Sequence, residues 1–254
     1  MIGIGEKGFV SVELSTRTAG GHSSLPPRHT AIGILSAAIA RLEARPMPAR
    51  LTGPTRELFD TIGPRFPLAR RAVFANLWLT RPLVLRRLES VPTTNAMVRT
   101  TAAPTIFQAG TKDNVLPTAA RAVINFRILP GDTVASVIEH VRRTTSDPRV
   151  EVKQGGRFTA EPSKLSRTDS ESYRLLESAI RAVAPDVSAA PYLVVVATDA
   201  RYYSALSDNI FRYLPLRLVR EDVDRMHGLD ERLGIRAYED AIRTYRELLL
   251  RASR

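Results

Sequence analysis

The sequence contains no cysteine among its 254 residues. This absence excludes disulfide bonds, thiolate zinc sites and cysteine nucleophiles. Long apolar stretches are missing as well, because the longest run, residues 192–197, is far shorter than the ~18 to 20 residues of a membrane-spanning helix. The chain does not open with a basic segment followed by an apolar one, so no signal peptide is visible. We therefore expect no membrane partner, and we favour a cytoplasmic location although the sequence does not fix it.

Acidic residues and lysine are both scarce. The chain has 26 acidic and 37 basic residues, a net charge of +11, and lysine occurs only at positions 7, 112, 153 and 164. This arginine-rich excess indicates either a polyanionic partner or the absence of an acidic part of a longer protein. The composition, 44% apolar and 25% charged, is typical of a globular protein. The length allows one large domain or two modest ones.

The first part of the chain, residues 1–165, is predicted to form an α+β domain. Its expected elements are a strand over 10–15, a helix over 29–45, a hairpin of strands at 105–109 and 119–129, a helix over about 133–147 and a strand over 150–153. The order βαββαβ is that of a ferredoxin-like domain. A proline- and arginine-rich stretch over about 46–92 interrupts it and is predicted to be an irregular helical insertion.

The second part, residues 166–254, shows a different pattern. A helix is predicted over 173–183, buried strands over 191–197 and 210–214, and a last helix from 235 onwards. These elements are too few to close a doubly wound sheet. We therefore expect the final segment of an α/β domain whose first strands lie elsewhere.

Two of the four histidines, His22 and His227, lie in predicted loops beside glycine, where ligands and catalytic groups are often displayed. An ordinary exposed histidine is the alternative for each. His29 and His140 belong to predicted helices and are expected to face solvent.

Four further residues are candidates for a functional site. Alternation in the strand over 122–129 places Arg127 on the sheet face opposite the core, where a guanidinium can clamp a carboxylate. Asn114 lies in the hairpin turn, and Asp199 with Arg201 follow the buried strand, where open α/β sheets place their sites. The alternatives are a solvated arginine, a turn-forming asparagine and an Asp–Arg pair that caps the next helix.

Taken together, these segments resemble the M20 family of metallopeptidases and amidohydrolases, most closely its carboxypeptidase S-like branch. The resemblance covers nearly the whole chain and rests on the order of the motifs at residues 6–8, 20–27, 94–101, 112–117, 125–132, 198–201 and 227–228. It implies a ferredoxin-like lid, or dimerisation, domain inserted into an α/β zinc-binding catalytic domain. It also implies hydrolysis of peptide or N-acyl amino acid amide bonds next to a free carboxylate.

The resemblance also implies a role for each candidate residue. His22 matches a histidine that enters the partner subunit's active site in dimeric members and polarises the scissile carbonyl. Asn114 and Arg127 match positions that hold the substrate carboxylate, and Asp199 and Arg201 belong to the substrate site. His227 matches the last ligand of a two-zinc centre, whose metals activate a water and polarise the carbonyl with a glutamate as general base.

The main departure from the family is that its other metal ligands and its base glutamate precede the lid domain, where this chain begins. Because catalytic zinc needs about three protein ligands, we expect the isolated chain to lack zinc and to be inactive. Smaller departures are Val196, where glycine is usual, and Tyr202, where histidine is frequent, which affect the expected shape of the substrate pocket.

Three hypotheses follow for the function. The first is the C-terminal portion of an M20 hydrolase, which acts as a homodimer through its lid domain. The second is a non-catalytic homodimerisation or binding module derived from that lid. The third, a basic nucleic-acid binder, is disfavoured because the strands lack the aromatic-rich basic motif with which such sheets stack bases. If the absent part is acidic, truncation explains some of the positive charge.

Overall fold

The chain forms a mixed α/β structure. The computed structural model describes residues 1–226 and 228–253. Up to residue 160 the elements are β1 (Ile2–Glu6), β2 (Gly8–Arg17), β3 (Gly21–His22), α1 (Ala31–Ala44), α2 (Gly53–Ile62), α3 (Leu68–Ala75), α4 (Leu77–Glu89), α5 (Pro92–Val98), β4 (Thr101–Ala109), β5 (Val115–Leu116), β6 (Ala119–Ile128), α6 (Val134–Thr145) and β7 (Glu151–Ala160). They are followed by α7 (Glu171–Val183), β8 (Pro191–Val194), a 3-10 segment (Asp199–Tyr203), α8 (Arg220–Arg225) and α9 (Ile235–Ala252).

A four-stranded antiparallel sheet with the order β4-β6-β2-β7 organises the first part of the chain. The alternating residues of β2 and β6 place one apolar face against α1 and α6, and Phe126 and Leu35 are fully buried in this core. The opposite face of the sheet carries the intervening polar residues. This strand order, with both helices on one face, is consistent with the ferredoxin-like arrangement that the sequence predicts.

The two core helices begin where the sequence supplies a capping side chain. The Thr30 hydroxyl accepts a hydrogen bond from the Gly33 amide at the start of α1. Thr133 and Ser136 form a reciprocal capping box at the start of α6. These bonds satisfy amide groups that an α-helix leaves without partners.

The insertion is helical, as predicted, and consists of α2 to α5. Aromatic packing joins α2 to α3, because the ring centres of Phe59 and Phe74 lie 4.6 Å apart. Arg50 attaches the insertion to the sheet, because its guanidinium lies 2.9 Å from the Asp132 carboxylate. The last helix, α5, runs to Val98, beyond the predicted end at residue 92.

The second part of the chain packs around a parallel pair of strands. β1 pairs with β8, and Ile2 and Ile4 of β1 lie in a cluster with Tyr173, Leu176 and Ile180 of α7. The sequence pattern predicts a strand over 10–15 but none over the residues of β1. The division into residues 1–165 and 166–254 stays a prediction, but strand pairing associates residues 2–6 with the second part.

Several predicted strands differ from those observed, and the strands predicted over 105–109 and 10–15 extend over Thr101–Ala109 and Gly8–Arg17. Residues 210–214 form no strand. Their pairing with β1 is limited to one isolated bridge, in which Gly3 and Arg212 exchange backbone hydrogen bonds of 2.8 and 2.9 Å. The strand predicted over 191–197 ends at Val194. β7 continues through Gly155 and Gly156 to Ala160, since Gly156 adopts a φ of +80° where the register with β2 shifts. Across the described ranges, no helix combines enough length with enough apolar character to cross a bilayer.

Candidate functional site

Two predicted substrate-binding arginines, Arg127 and Arg201, lie at opposite ends of one stack of side chains. The Arg127 guanidinium carbon lies 4.8 Å from the centre of the Phe9 ring. Phe9 packs on Phe158 with ring centres 5.3 Å apart, and the Arg201 guanidinium carbon lies 4.5 Å from the Phe158 ring. We call these four residues the guanidinium–aromatic stack. It joins the open face of the sheet to the 3-10 segment that follows β8.

Strand pairing explains one half of this stack. Phe9 on β2 is the direct partner of Arg127 on β6, so both side chains stand on the same face of the sheet. That face is the one opposite the core, as the alternation predicts for Arg127. The sequence analysis missed Phe9 and Phe158, although Phe9 shares the alternation phase of Ser11 and could have been placed on the open face.

A cavity of about 270 Å³ lies beside the stack. Its walls combine aromatic rings and aliphatic groups with both signs of charge. The lining residues are Glu6, Lys7, Phe9, Phe158, Ala160, Glu161, Pro162, Ser163, Lys164, Ala197, Arg201 and Ser204. Such a lining can bind a carboxylate through the Arg201 guanidinium and cover an apolar group with the Phe9 and Phe158 rings.

The 3-10 segment positions Arg201 through contacts of its neighbours. The Thr198 hydroxyl accepts a hydrogen bond from the Ala200 amide at 3.2 Å, so Thr198 is the capping residue and Asp199 is not. Arg201 donates to the Tyr202 hydroxyl at 2.9 Å. No ion pair in the described ranges joins Asp199 to Arg201, and the Asp199 side chain is exposed. Of the two alternatives for Asp199 and Arg201, the structure therefore contradicts the one in which they form a pair that caps the next helix.

His22 and Asn114 lie together on a separate projection. β3 and β5 form a two-stranded ribbon in which His22 pairs with Val115, and the Ser23 amide donates to the Asn114 carbonyl at 3.1 Å. We call β3, β5 and the turn between β4 and β5 the arm. Gly20 allows the chain to enter it with a φ of +70°. Neither His22 nor Asn114 lines the cavity beside the stack.

The orientation of the His22 ring follows from its hydrogen bonds. The Ser24 amide donates to Nδ1 at 3.2 Å, and the Ser24 hydroxyl lies 2.8 Å from the same nitrogen. Because a backbone N–H can only donate, Nδ1 is the acceptor and the proton of the neutral ring resides on Nε2. His22 is exposed and thus presents an N–H donor at the tip of the arm.

Two buried charges, Glu6 and Lys7, tie distant segments of the chain together, and the sequence gives them no role beyond the motif. The Glu6 carboxylate accepts hydrogen bonds from Thr198 at 2.6 Å and from Arg212 at 3.1 Å. The Lys7 ammonium donates to the Ala96 carbonyl at 3.0 Å and the Arg99 carbonyl at 2.7 Å. Glu6 therefore binds the second part of the chain, and the adjacent Lys7 binds the end of the insertion.

Lys7 gives the fold a pH dependence. Burial, and to a smaller extent the charge of Arg127, lowers the pKa of Lys7 from 10.5 to about 7, against the opposing effect of Asp132. Between these values the unfolded chain holds a proton that the folded chain has released, so stability rises with pH across this window. Below pH 7 both states carry the proton, so the stability no longer changes with pH and the folded chain bears the full cost of burying the charged ammonium.

We expect the variant K7M to lose this dependence. The unfolding free energy of wild type minus that of K7M should increase from about pH 7 to about pH 10, because only the wild type gains stability with pH. The slope should be at most about 1.4 kcal/mol per pH unit. Urea unfolding over this range measures the difference. K153M is the matched control, because Lys153 is exposed and paired only with Glu151. A pH-independent difference for K7M would contradict the prediction.

Comparison with known proteins identifies the family. A family model described as the peptidase dimerisation domain of M20 matches residues 4–152. The chain belongs to the M20 peptidase family.

M20 relatives align with almost the entire chain. It is 44% identical over 248 residues to "Probable carboxypeptidase S-like 2" of Dictyostelium discoideum, covering 98% of this chain and 47% of the relative. It is 38% identical over 254 residues to the "N-fatty-acyl-amino acid synthase/hydrolase PM20D1" of Homo sapiens, covering 99% and 51%. The chain thus spans about half the length of the curated relatives it matches.

Solved M20 structures share the fold. The M20 metallo-carboxypeptidase Sso-CP2 of Sulfolobus solfataricus superposes with a TM-score of 0.60 at 18% identity, over 98% of this chain and 59% of that one. Human carnosine dipeptidase 1 gives 0.62 at 14% identity, over 98% and 56%. The expected combination of a dimerisation domain with part of a peptidase fold is therefore correct at the level of fold class.

The described residues do not by themselves fit the metal centre that M20 membership implies. Within residues 1–226 and 228–253, no group of three or more His, Asp or Glu side chains is placed to hold a metal ion. The predicted ligand His227 lies outside the described residues. The His140 Nε2–H donates a hydrogen bond to the Arg45 carbonyl at 3.0 Å. His29 is exposed.

Proposed function

We propose that this chain is the dimerisation domain and the last catalytic-domain segment of a zinc-dependent M20 hydrolase. The substrates are peptides or N-acyl amino acids, cleaved at an amide bond next to a free carboxylate. The two segments are residues 1–165, with β1 packed on the second, and residues 166–254.

The guanidinium–aromatic stack carries this proposal. It supports recognition of a carboxylate through Arg127 and Arg201, and of an apolar group through Phe9 and Phe158. A substrate with both features agrees with the name of the PM20D1 relatives, N-fatty-acyl-amino acid synthase/hydrolase. In this arrangement Asp199, exposed at the start of the 3-10 segment, accepts hydrogen bonds from donors on the substrate.

The separation of the arm from the stack supports a homodimer. His22 and Asn114 are exposed on the arm, whereas Arg201 lines the cavity. If the arm of one copy reaches the cavity of the other, His22 donates from Nε2 to the scissile carbonyl and Asn114 contacts the substrate carboxylate. Arg127 and Arg201 then hold the substrate from the opposite side.

The zinc ions belong to a longer protein in this proposal. The family site holds two zinc ions that supply a metal-activated water, and only His227 of its ligands is present in this chain. The remaining ligands and the general base would come from residues that the longer relatives have and this chain lacks. As an isolated chain it is expected to be inactive.

Light scattering together with metal analysis of the purified 254-residue chain tests the proposal. We expect a dimer, less than one zinc ion per chain and no amidase turnover. Two stoichiometric zinc ions with turnover would contradict the fragment assignment, and a monomer would contradict the dimer. A non-catalytic dimerisation module gives the same result here. It differs in that adding the missing catalytic part would not restore hydrolysis.

A further inference from the structure

The insertion carries an apolar helix face that is turned toward solvent. On α4, residues spaced four apart form two adjacent rows, Trp78–Pro82–Arg86 and Leu79–Leu83–Arg87. Trp78 is 81% exposed, and Leu79 and Leu83 are each 65% exposed. The opposite side of α4, with Leu77 and Val84, is the buried one. We call the six residues of the two rows the outer α4 face.

The stretch of sequence that contains this face carries charge of one sign. Between Asp60 and Glu89 the sequence has no acidic residue and six arginines, at positions 65, 70, 71, 81, 86 and 87. All six are exposed, and none forms an ion pair with a carboxylate in the described part of the chain. Leu68, at the start of the neighbouring helix α3, is also 83% exposed.

We propose that the outer α4 face docks on an anionic lipid surface. Apolar side chains with a tryptophan enter the interface between headgroups and acyl chains, while surrounding arginines contact anionic headgroups. Positive charge alone suits any polyanion. The exposed leucines and tryptophan between the arginines favour a bilayer over a nucleic acid, because they gain nothing from phosphate contacts and are removed from water in lipid.

This inference revises one expectation and is independent of the proposed hydrolase function. The sequence predicts no membrane partner because it lacks a spanning segment, and a peripheral helix needs none. The positive charge, attributed above in part to a missing acidic region, also has a local use in the insertion.

Trp78 is the only tryptophan in the sequence, so its fluorescence reports directly on this face. In the full 254-residue chain, vesicles of phosphatidylcholine with phosphatidylglycerol should shift the Trp78 emission to shorter wavelength. Lipids brominated on their acyl chains should quench it. Pure phosphatidylcholine and high salt should both weaken the effect.

Two matched arginine pairs test the charge requirement. Arg86 and Arg87 lie in the last turn of α4. Arg142 and Arg143 lie at the equivalent positions in the last turn of α6. Because an arginine near an anionic surface contributes about fivefold to binding, R86Q/R87Q should lower vesicle affinity roughly thirtyfold. R142Q/R143Q should leave it unchanged. L79N/L83N should abolish the quenching by brominated lipid.

Four outcomes would overturn the proposal. These are no spectral change with anionic vesicles, equal effects of the two arginine pairs, and a shift with duplex DNA but not with vesicles. The fourth is an emission that is already at short wavelength without lipid and moves with protein concentration, which would identify a second copy as the occupant.

Discussion

Replacing Arg212 by methionine is expected to lower the free energy of unfolding by about 3–5 kcal/mol, because it leaves a buried carboxylate without its cation. The Arg212 and Glu6 side chains are only 8% and 6% exposed, and Nε lies 3.1 Å from the Glu6 carboxylate. A second guanidinium nitrogen donates to the Ile210 carbonyl at 2.9 Å. The variant therefore strips bonds from groups that water cannot reach. Urea unfolding followed by circular dichroism measures the loss.

The exposed pair Arg217–Asp186 is the matched control. Its guanidinium makes two bonds to the carboxylate, at 2.8 and 2.7 Å, but the side chains are 53% and 63% exposed. R217M should therefore destabilise much less than R212M, because solvent already screens the pair. The double variant E6Q/R212M should recover part of the stability, since no buried charge is left unpaired. Equal effects of R212M and R217M would show that the Glu6–Arg212 pair does not hold β1 to the second part.

The sequence predicts the elements that build the main core and fails where pairing partners are distant. β2 and β6 alternate between a core face and an open face, and α1 and α6 have clear apolar stripes, so local periodicity identifies them. β1 has all five residues buried and therefore shows no alternation. Its partner, β8, lies near residue 191. Only the tertiary structure reveals this pairing, and the same applies to the single bridge at Arg212.

For the candidate site, too, the sequence predicts what local pattern determines and not what distant contacts determine. Alternation places Arg127 on the open face, and glycines mark the loop that contains His22. The stack of Arg127, Phe9, Phe158 and Arg201 is not accessible to such reasoning, because it requires β7 to extend past Gly156 and the 3-10 segment to fold back onto it. The buried role of Lys7 is likewise hidden, since the carbonyls it contacts belong to residues about 90 positions away.

In the longer hydrolase of which we propose this chain to be a part, H22A is expected to lower kcat by about 10²- to 10³-fold with little change in KM. This is the usual effect of removing one donor from a site that stabilises developing negative charge. The structure supplies the reason, because both Ser24 contacts fall on Nδ1 and leave Nε2–H exposed as a donor. Steady-state kinetics with an N-acyl amino acid substrate measures the two constants.

His29 provides the control for this prediction. It lies on the same loop, seven residues further along, and is exposed. H29A should leave both kinetic constants close to those of wild type. S24A should reduce kcat less than H22A, because the ring would lose the Ser24 hydroxyl contact but keep the backbone N–H bond to Nδ1 that fixes its tautomer. A fall in kcat/KM caused entirely by a higher KM would indicate that His22 binds substrate without stabilising the transition state.

Mixing two inactive variants decides whether His22 acts across the dimer. H22A keeps an intact Arg201, and R201A keeps an intact His22. A hybrid dimer of the two contains one site with both residues if His22 crosses to the partner's cavity, and none if it acts within its own chain. Random exchange of subunits in a symmetric dimer should then restore about a quarter of wild-type activity. Activity that stays at the level of the separate variants would place His22 and Arg201 of one chain in the same site.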